Sequence, residues 1–254
     1  MQFLLELAFG VLVALAFVPK APVGVMFYRV MGTAACIPVL VAISVSIGTR
    51  GRGIDDRAIV FALLALLTYP IYSGPVRGGR WGVGVGLALL GTAASVGTVV
   101  SSNAPSLGVL ELLLATLTAL VTGTVAGSVG LAMVLGHWYL TVPNLEVRHL
   151  ARLNRVTVAS MVACALLVAS SCFVFRADLG GGHSPLFGAT GLFYLGTRLV
   201  VGLLMPLVFA GMTASALRFR NTRSATGILY ASTVLVLIGT AVSVSLQDAY
   251  GVPL

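Results

Sequence analysis

The chain has 254 residues, of which 58% are hydrophobic and 9% carry a charge. Soluble domains average about 25% charged residues, so this composition excludes an ordinary soluble domain and indicates an integral membrane protein. The net charge of +8 would suit nucleic acid, but the basic residues stand in short loops between apolar runs, a pattern typical of topology signals. We therefore expect one membrane domain over residues 1–254 and no nucleic-acid partner.

Apolar runs of membrane-spanning length follow one another along the whole chain. A spanning helix needs about 20 apolar residues, and barrel strands would instead alternate over about 10 residues. The sequence predicts an all-α polytopic bundle of about eight transmembrane helices. The predicted spans are 3–18, 24–47, 58–73, 81–100, 109–140, 144–175, 187–217 and 225–246. We expect Asn144 to cap the sixth helix, with Glu146 in its first turns, and Asn221 or Ser224 to cap the eighth.

The basic residues are unevenly distributed between the two sides of this bundle. Eight spans place ten basic residues on one side and four on the other, which indicates that the richer side is cytoplasmic and that both termini lie outside. The richer side holds Lys20, Arg29, Arg77, Arg80, Arg148, Arg152, Arg155, Arg218, Arg220 and Arg223, and the other side holds Arg50, Arg52, Arg57 and Arg176. The simplest compartment is a bacterial inner (plasma) membrane, because no organellar targeting segment is visible.

Small residues and prolines indicate how the helices pack. Gly82 and Gly86 on the fourth helix, and Gly123 and Gly127 on the fifth, have the G-x-x-x-G spacing that lets backbones approach closely. Packing within the bundle is the first interpretation, and a homodimer face is the alternative. Pro206 is expected to kink the seventh helix.

Arg198 is a basic residue within a predicted span. It must face the bundle or a wet cavity and find a partner there, and Tyr194 and Gly202 share its helix face at i−4 and i+4. Glu6 and Glu111 are the candidate counter-charges. Three interpretations stay open: an internal ion pair, a contact with a ligand anion or cofactor propionate, and a proton or ion relay.

A second candidate site lies where the fifth helix ends and the sixth begins. Trp138 and Tyr139 suit an aromatic belt at the headgroup level, but His137 needs a partner, and His149 starts the next helix with Glu146 three residues before it. These five residues could form a hydrogen-bonding site for a quinone or a lipid headgroup. His137 and His149 could also be the axial ligands of a haem.

Arg218, Arg220 and Arg223 lie close together in the last cytoplasmic loop. Clustered arginines attract anionic lipid headgroups, and they could also dock a cytoplasmic or membrane partner subunit. The simplest interpretation is a topology signal next to a helix cap.

No catalytic residue can be named, because the sequence has no Walker A, G-x-S-x-G or H-E-x-x-H motif. Our first hypothesis is a membrane subunit or binding module, without catalysis of its own, that holds a lipid-soluble ligand. The ligand would be a quinone or lipid headgroup, or a haem, in a respiratory electron-transfer complex. The second hypothesis is a small-solute permease, and the third is a lipid-modifying membrane enzyme.

Overall fold

The computed structural model describes residues 1–18, 23–48, 56–76, 78–105, 107–142, 145–176, 179, 186–251 and 254. In these ranges the chain forms helices and no strand. In chain order they are α1 (Gln2–Ala16), α2 (Val25–Gly48), α3 (Asp56–Leu67), α4 (Tyr69–Ser73), α5 (Gly79–Asn103), α6 (Val109–Thr141), α7 (Arg148–Val174), α8 (Ala189–Leu199), a π-helical turn (Val200–Leu204), α9 (Met205–Arg218) and α10 (Thr222–Tyr250).

Seven helical segments of the described ranges are long and apolar enough to cross a membrane, which confirms the predicted all-α multi-pass bundle. Helices α3 and α4 count as one segment, and so do α8, the π turn and α9. The remaining apolar run, α1, has 15 residues. At about 1.5 Å per residue it is about 22 Å long, shorter than a hydrocarbon core of about 30 Å. The predicted count of eight is therefore approximate.

Both ends of the chain lie at the same end of the bundle. The Gln2 amide donates to the Gln247 side chain at 3.1 Å, and Asn103 donates to Gln2 at 3.4 Å. At the far end of α1, the Tyr28 hydroxyl donates to the carbonyl of Val18. The short helix α1 thus runs from one end of the bundle to the other. We call these the terminal end and the basic end.

The basic end is the one where the arginines of two connections lie. These arginines are Arg148, Arg152 and Arg155 in the first turns of α7, and Arg218, Arg220 and Arg223 where α9 ends and α10 begins. Lys20, Arg50, Arg52 and Arg77 of the predicted charge distribution lie outside the described residues.

The sixth predicted helix begins later than the sequence suggests. Helix α7 starts at Arg148 with Val147 as its N-cap, so the placement of Glu146 inside the helix, on one face with His149, is wrong. The Tyr139 hydroxyl donates to the backbone carbonyl of Glu146, which ties this residue to the end of α6. The predicted cap Asn144 lies outside the described residues. The predicted cap of the last helix is confirmed, because the Ser224 N–H donates to the Asn221 side chain at 3.0 Å.

Prolines account for the two interruptions within predicted spans. The third span breaks at Thr68, two residues before Pro70, which has no N–H to donate and would crowd the carbonyl four residues earlier. The irregularity expected at Pro206 takes the form of the π turn, and Pro206 then occupies the first turn of α9, where a missing N–H is tolerated.

Glycines bring α1 and α6 into direct backbone contact. A Cβ added at Gly10 would overlap the carbonyl of Gly123, and one added at Gly127 would overlap the backbone of Gly10. This confirms that the glycine pair of α6 serves packing within the bundle. A Cβ added at Gly82 or Gly86 would meet nothing within 4 Å, so the glycine pair of α5 makes no such contact.

We predict that Gly123→Ala lowers the stability of the protein, because the new methyl group would collide with the backbone of α1. Overpacking of this kind costs about 1–3 kcal/mol. Gly130→Ala is the matched control on the same helix, since a Cβ there meets nothing within 4 Å and alanine favours helix. Thermal unfolding in detergent measures the difference. Equal melting temperatures for the two variants would contradict the close approach of α1 to α6.

Candidate ligand-binding site

Arg198 lies inside the bundle, as the sequence predicts, and its side chain is 0% exposed. It lies nine positions after Ala189, the first residue of α8, which places it about 14 Å along the helix axis. Its Nη2 donates to the Thr122 hydroxyl at 3.0 Å and to the Cys164 sulfur at 3.2 Å. The guanidinium is therefore held between α6 and α7 by two neutral groups.

The two residues that hold Arg198 belong to a polar seam between α6 and α7. The seam consists of three cross-helix pairs of small side chains, all six of them buried. These pairs are Thr118 with Ser171 at 3.3 Å, Thr122 with Cys164 at 3.5 Å, and Ser128 with Ser160 at 3.5 Å. Since the pairs follow one another along both helices, the guanidinium meets the middle of a polar stripe in an otherwise apolar interface.

Neither candidate counter-charge pairs with Arg198. The Glu6 carboxylate accepts a hydrogen bond from Gln2 at 2.7 Å, and it attracts Arg198 electrostatically without an ion pair within 4.0 Å. Glu111 caps the start of α6 by accepting from the Gly108 N–H at 2.9 Å. The Nε and Nη1 atoms of Arg198 are buried and have no hydrogen-bond partner among the described residues. Within the described part of the chain, Arg198 therefore forms no internal ion pair of the kind that the sequence suggested.

The π turn directly after Arg198 packs tightly against α10. A Cβ added at Gly202 would lie 2.6 Å from Cα of Gly239 and 3.5 Å from Nη1 of Arg198. Gly202 thus borders the guanidinium, as its spacing predicts. Tyr194 does not, because its ring is 42% exposed and contacts Phe193 with ring centroids 5.9 Å apart. π turns often mark functional positions in helices, and this one adjoins the buried charge.

The aromatic residues at the end of α6 have separate partners. His137 is exposed, and its Nδ1 lies 3.3 Å from the hydroxyl of Tyr230 on α10. Trp138 contacts the ring of Phe27 with centroids 5.7 Å apart, and its buried indole N–H has no partner among the described residues. Trp138 is half-buried and packs against Phe27, and Tyr139 binds the backbone carbonyl of Glu146. The placement of both aromatic residues at the headgroup level stays a prediction.

His149 faces a different environment from His137. It is buried, its Nε2 has no partner within the described part of the chain, and it lines a cavity of about 380 Å³ together with Arg148, Arg152 and Arg155. No group of three or more His, Cys, Asp or Glu side chains that could hold a metal lies in the described ranges. Haem ligation by His137 and His149 stays a prediction.

We call the cavity lined by His149 and the three arginines the basic cavity. It adjoins a groove on the outside of the bundle. This groove of about 630 Å³ lies between α1, α6 and α7, and Arg152 and Arg155 line both it and the basic cavity. Beyond the two arginines its walls are mostly apolar. The apolar wall residues include Val13, Phe17, Val121, Val156, Ala159 and Ala163. We call the combined feature the basic groove.

Two other surfaces each share one property of the basic groove. One is positively charged, and the other is an apolar groove. Arg218, Arg220 and Arg223 are exposed at the basic end, but they line none of the cavities described here. A second groove of about 310 Å³ lies where α7 meets the π turn, and apolar side chains such as Leu166 and Val200 line it without any basic residue. The basic groove combines positive charge with an apolar channel.

Reasoning from the sequence missed the role of Arg152 and Arg155. They counted only as topology charges, although Ala159 and Ala163 follow them on the same helix face. Two basic residues followed by alanines at helical spacing leave space for a groove beside the charges, and the sequence contains this pattern. The contact of Arg198 with Thr122 and Cys164 had no such signal, because those residues lie 76 and 34 positions away.

Comparison with protein-family models, with curated protein sequences and with solved structures finds no match to this chain.

We predict that Thr122→Val destabilises the protein, because the nearly isosteric change removes the hydroxyl that accepts from the Arg198 guanidinium. A hydrogen bond to a charged group contributes about 1.5–3 kcal/mol. Thr124→Val is the matched control, since its hydroxyl bonds only to the carbonyl of Leu120 on its own helix. Unfolding in mixed micelles measures both changes. A Thr122→Val variant as stable as Thr124→Val would show that the contact with Arg198 contributes nothing.

Proposed function

We propose that the protein is a membrane-embedded binding module for an anionic, phosphate-bearing lipid. The observation that carries this proposal is the sharing of Arg152 and Arg155 by the basic cavity and the groove. An amphipathic lipid needs a charged pocket joined to an apolar channel at its mouth, and the basic groove offers this combination.

The chemistry of the cavity favours a phosphate group. Arginine guanidinium groups donate bidentate hydrogen bonds that match phosphate oxygens. Arg148 is paired with Glu146, whereas Arg152 and Arg155 have no carboxylate partner among the described residues. The buried His149 supplies a further ring nitrogen. Two free guanidinium groups beside one polar cavity can therefore hold a headgroup at the membrane surface.

The groove below the arginines suits the apolar part of the same molecule. The small side chains of Ala159 and Ala163 leave space along this face of α7, while Phe17 and Val121 form the opposite wall of the groove. A lipid tail lying there would cover the apolar side chains and continue into the bilayer. The charge of the cavity favours a phosphate over the neutral ring of a quinone, which was the other ligand of our first hypothesis.

The proposal includes an orientation. We place the basic end in the cytoplasm, which puts both termini outside, because cytoplasmic loops carry an excess of arginine and lysine. The membrane would be a bacterial inner membrane, whose anionic lipids could reach the basic groove from within the cytoplasmic leaflet. A partner subunit at Arg218, Arg220 and Arg223 remains a separate hypothesis.

We predict that the protein purified in mild detergent retains an anionic lipid, and that the double variant Arg152→Ala, Arg155→Ala loses it. Losing about 1.4 kcal/mol, less than one charge-assisted hydrogen bond, weakens binding about tenfold. Native mass spectrometry counts the bound lipids, and mass spectrometry of the extract identifies them. The double variant Arg218→Ala, Arg223→Ala removes equal charge from the same end and should retain the lipid.

Three outcomes would contradict the proposal. Equal lipid loss in both double variants would mean that the charge of the basic end attracts lipid without a defined site. A quinone in the extract would restore the electron-transfer hypothesis. A Soret band in the visible spectrum would point to a haem on His137 and His149.

A second variant tests the apolar half of the site without changing charge. We predict that Ala159→Leu weakens retention of the lipid, because the larger side chain fills the groove beside Arg155. Ala169→Leu is the control, since Ala169 is exposed on the same helix and lines none of the cavities described here. Native mass spectrometry should show bound lipid in the control but less in Ala159→Leu. Equal retention would restrict binding to the headgroup.

A further inference from the structure

The guanidinium of Arg198 is buried and forms no ion pair with any carboxylate of the described residues. Its Nη2 binds two neutral groups, and its Nε and Nη1 are buried without a partner in the described ranges. A buried charge that is neither paired nor hydrated strongly destabilises a protein. The two unpartnered nitrogens of the guanidinium can therefore bind a group from outside the chain.

We propose that Arg198 binds a small monovalent anion inside the bundle. This site is separate from the basic groove, and it does not rest on the proposed lipid function. One negative charge balances the guanidinium, and a small ion suits the surroundings, where Gly202 and Gly239 are in backbone contact beside Nη1. Halides and nitrate belong to this class of ligand.

Glu6 is the competing counter-charge within the chain. It attracts Arg198 across α6, but Gln2 already donates to its carboxylate at 2.7 Å, and Gln2 in turn bonds Gln247 and Asn103. The Glu6 backbone is also fixed against α6, because a Cβ added at Gly123 would overlap it. These contacts engage the Glu6 carboxylate with Gln2, so it opposes an anion at Arg198 without itself pairing with the guanidinium.

Buried polar atoms without partners mark a route from the basic end to Arg198. They lie on α7 at His149, Asn154 and Thr157, and on α9 at Thr213. Further along α7, the hydrogen-bonded side chains of Ser160 and Cys164 continue the polar stripe to Arg198. Nearly all buried polar groups are hydrogen-bonded to protein or to ordered water, so water is expected at the atoms without partners.

The sign of the charge along this route favours anions. Its mouth is the basic cavity with Arg148, Arg152 and Arg155, and its inner end is Arg198. The carboxylate of Glu146 at the mouth is paired with Arg148. A buried positive charge repels cations and concentrates anions in a polar path.

The first test is the thermal stability of the purified protein in bromide and in gluconate at constant ionic strength. A bound anion stabilises the folded state, so the melting temperature should rise by several degrees with bromide and then saturate. Arg198→Met should abolish the rise, while Arg220→Met, at an exposed position, should retain it. A wild-type melting temperature that is the same in both salts would overturn the proposal.

A variant of Glu6 distinguishes the bound anion from the internal counter-charge. Glu6→Gln removes a negative charge that attracts Arg198, so half-maximal stabilisation should occur at a several-fold lower bromide concentration. If Glu6 were the true partner of Arg198, bromide would stabilise the Glu6→Gln protein alone and not the wild type, which would overturn the proposal.

The thiol of Cys164 gives a readout that does not depend on changing Arg198. The variant Cys36→Ala, Cys172→Ala leaves Cys164 as the single cysteine, with its sulfur 3.2 Å from Nη2 of Arg198. Methyl methanethiosulfonate should react with it several-fold more slowly in bromide than in gluconate, because the anion occupies the space beside the sulfur. Equal rates in the two salts would contradict an anion at Arg198.

Discussion

Helix α6 contacts its neighbours α1 and α7 in different ways, and this difference determines where a charged side chain can lie in the bundle. Toward α1 it offers Gly123 and Gly127, and the two backbones touch. Toward α7 it offers the hydroxyl groups of Thr118, Thr122 and Ser128. At the glycines the first contact leaves no room for a side chain, whereas the second contact provides a polar surface within the membrane, and Arg198 extends to that surface.

The distribution of carboxylates follows from the same arrangement. Each described glutamate is engaged close to its own position: Glu6 with Gln2, Glu111 with the first turn of α6, and Glu146 with Arg148. None neutralises Arg198, Arg152 or Arg155. The positive charges therefore remain available, one inside the bundle and two beside an apolar groove, and both positions suit an anionic ligand.

The sequence predicted the fold well because a membrane imposes one strong constraint, the length of apolar segments. Seven segments and the short α1 lie where the apolar runs placed them. The irregularity at Pro206 was predicted, whereas the break before Pro70 was not. The start of α7 was predicted too early, because the contact of Tyr139 with the Glu146 carbonyl depends on how α6 and α7 meet. Composition and hydropathy do not contain that information.

The candidate sites were predictable only in part, for a similar reason. The burial of Arg198 follows from its depth, and its contact with Gly202 follows from helical spacing. Its partners Thr122 and Cys164 depend on the register between three helices, which no local pattern specifies. His137 and His149 were adjacent candidates in the sequence, yet they face Tyr230 and the basic cavity respectively.

The most direct test of the proposed function is an experimental structure of the protein in a bilayer that contains anionic lipid. We predict phosphate density within hydrogen-bonding distance of both Arg152 and Arg155, continued by a lipid tail past Phe17 and Ala159. A vacant basic groove, with ordered lipid only in the uncharged groove beside Leu166 and Val200, would contradict the account.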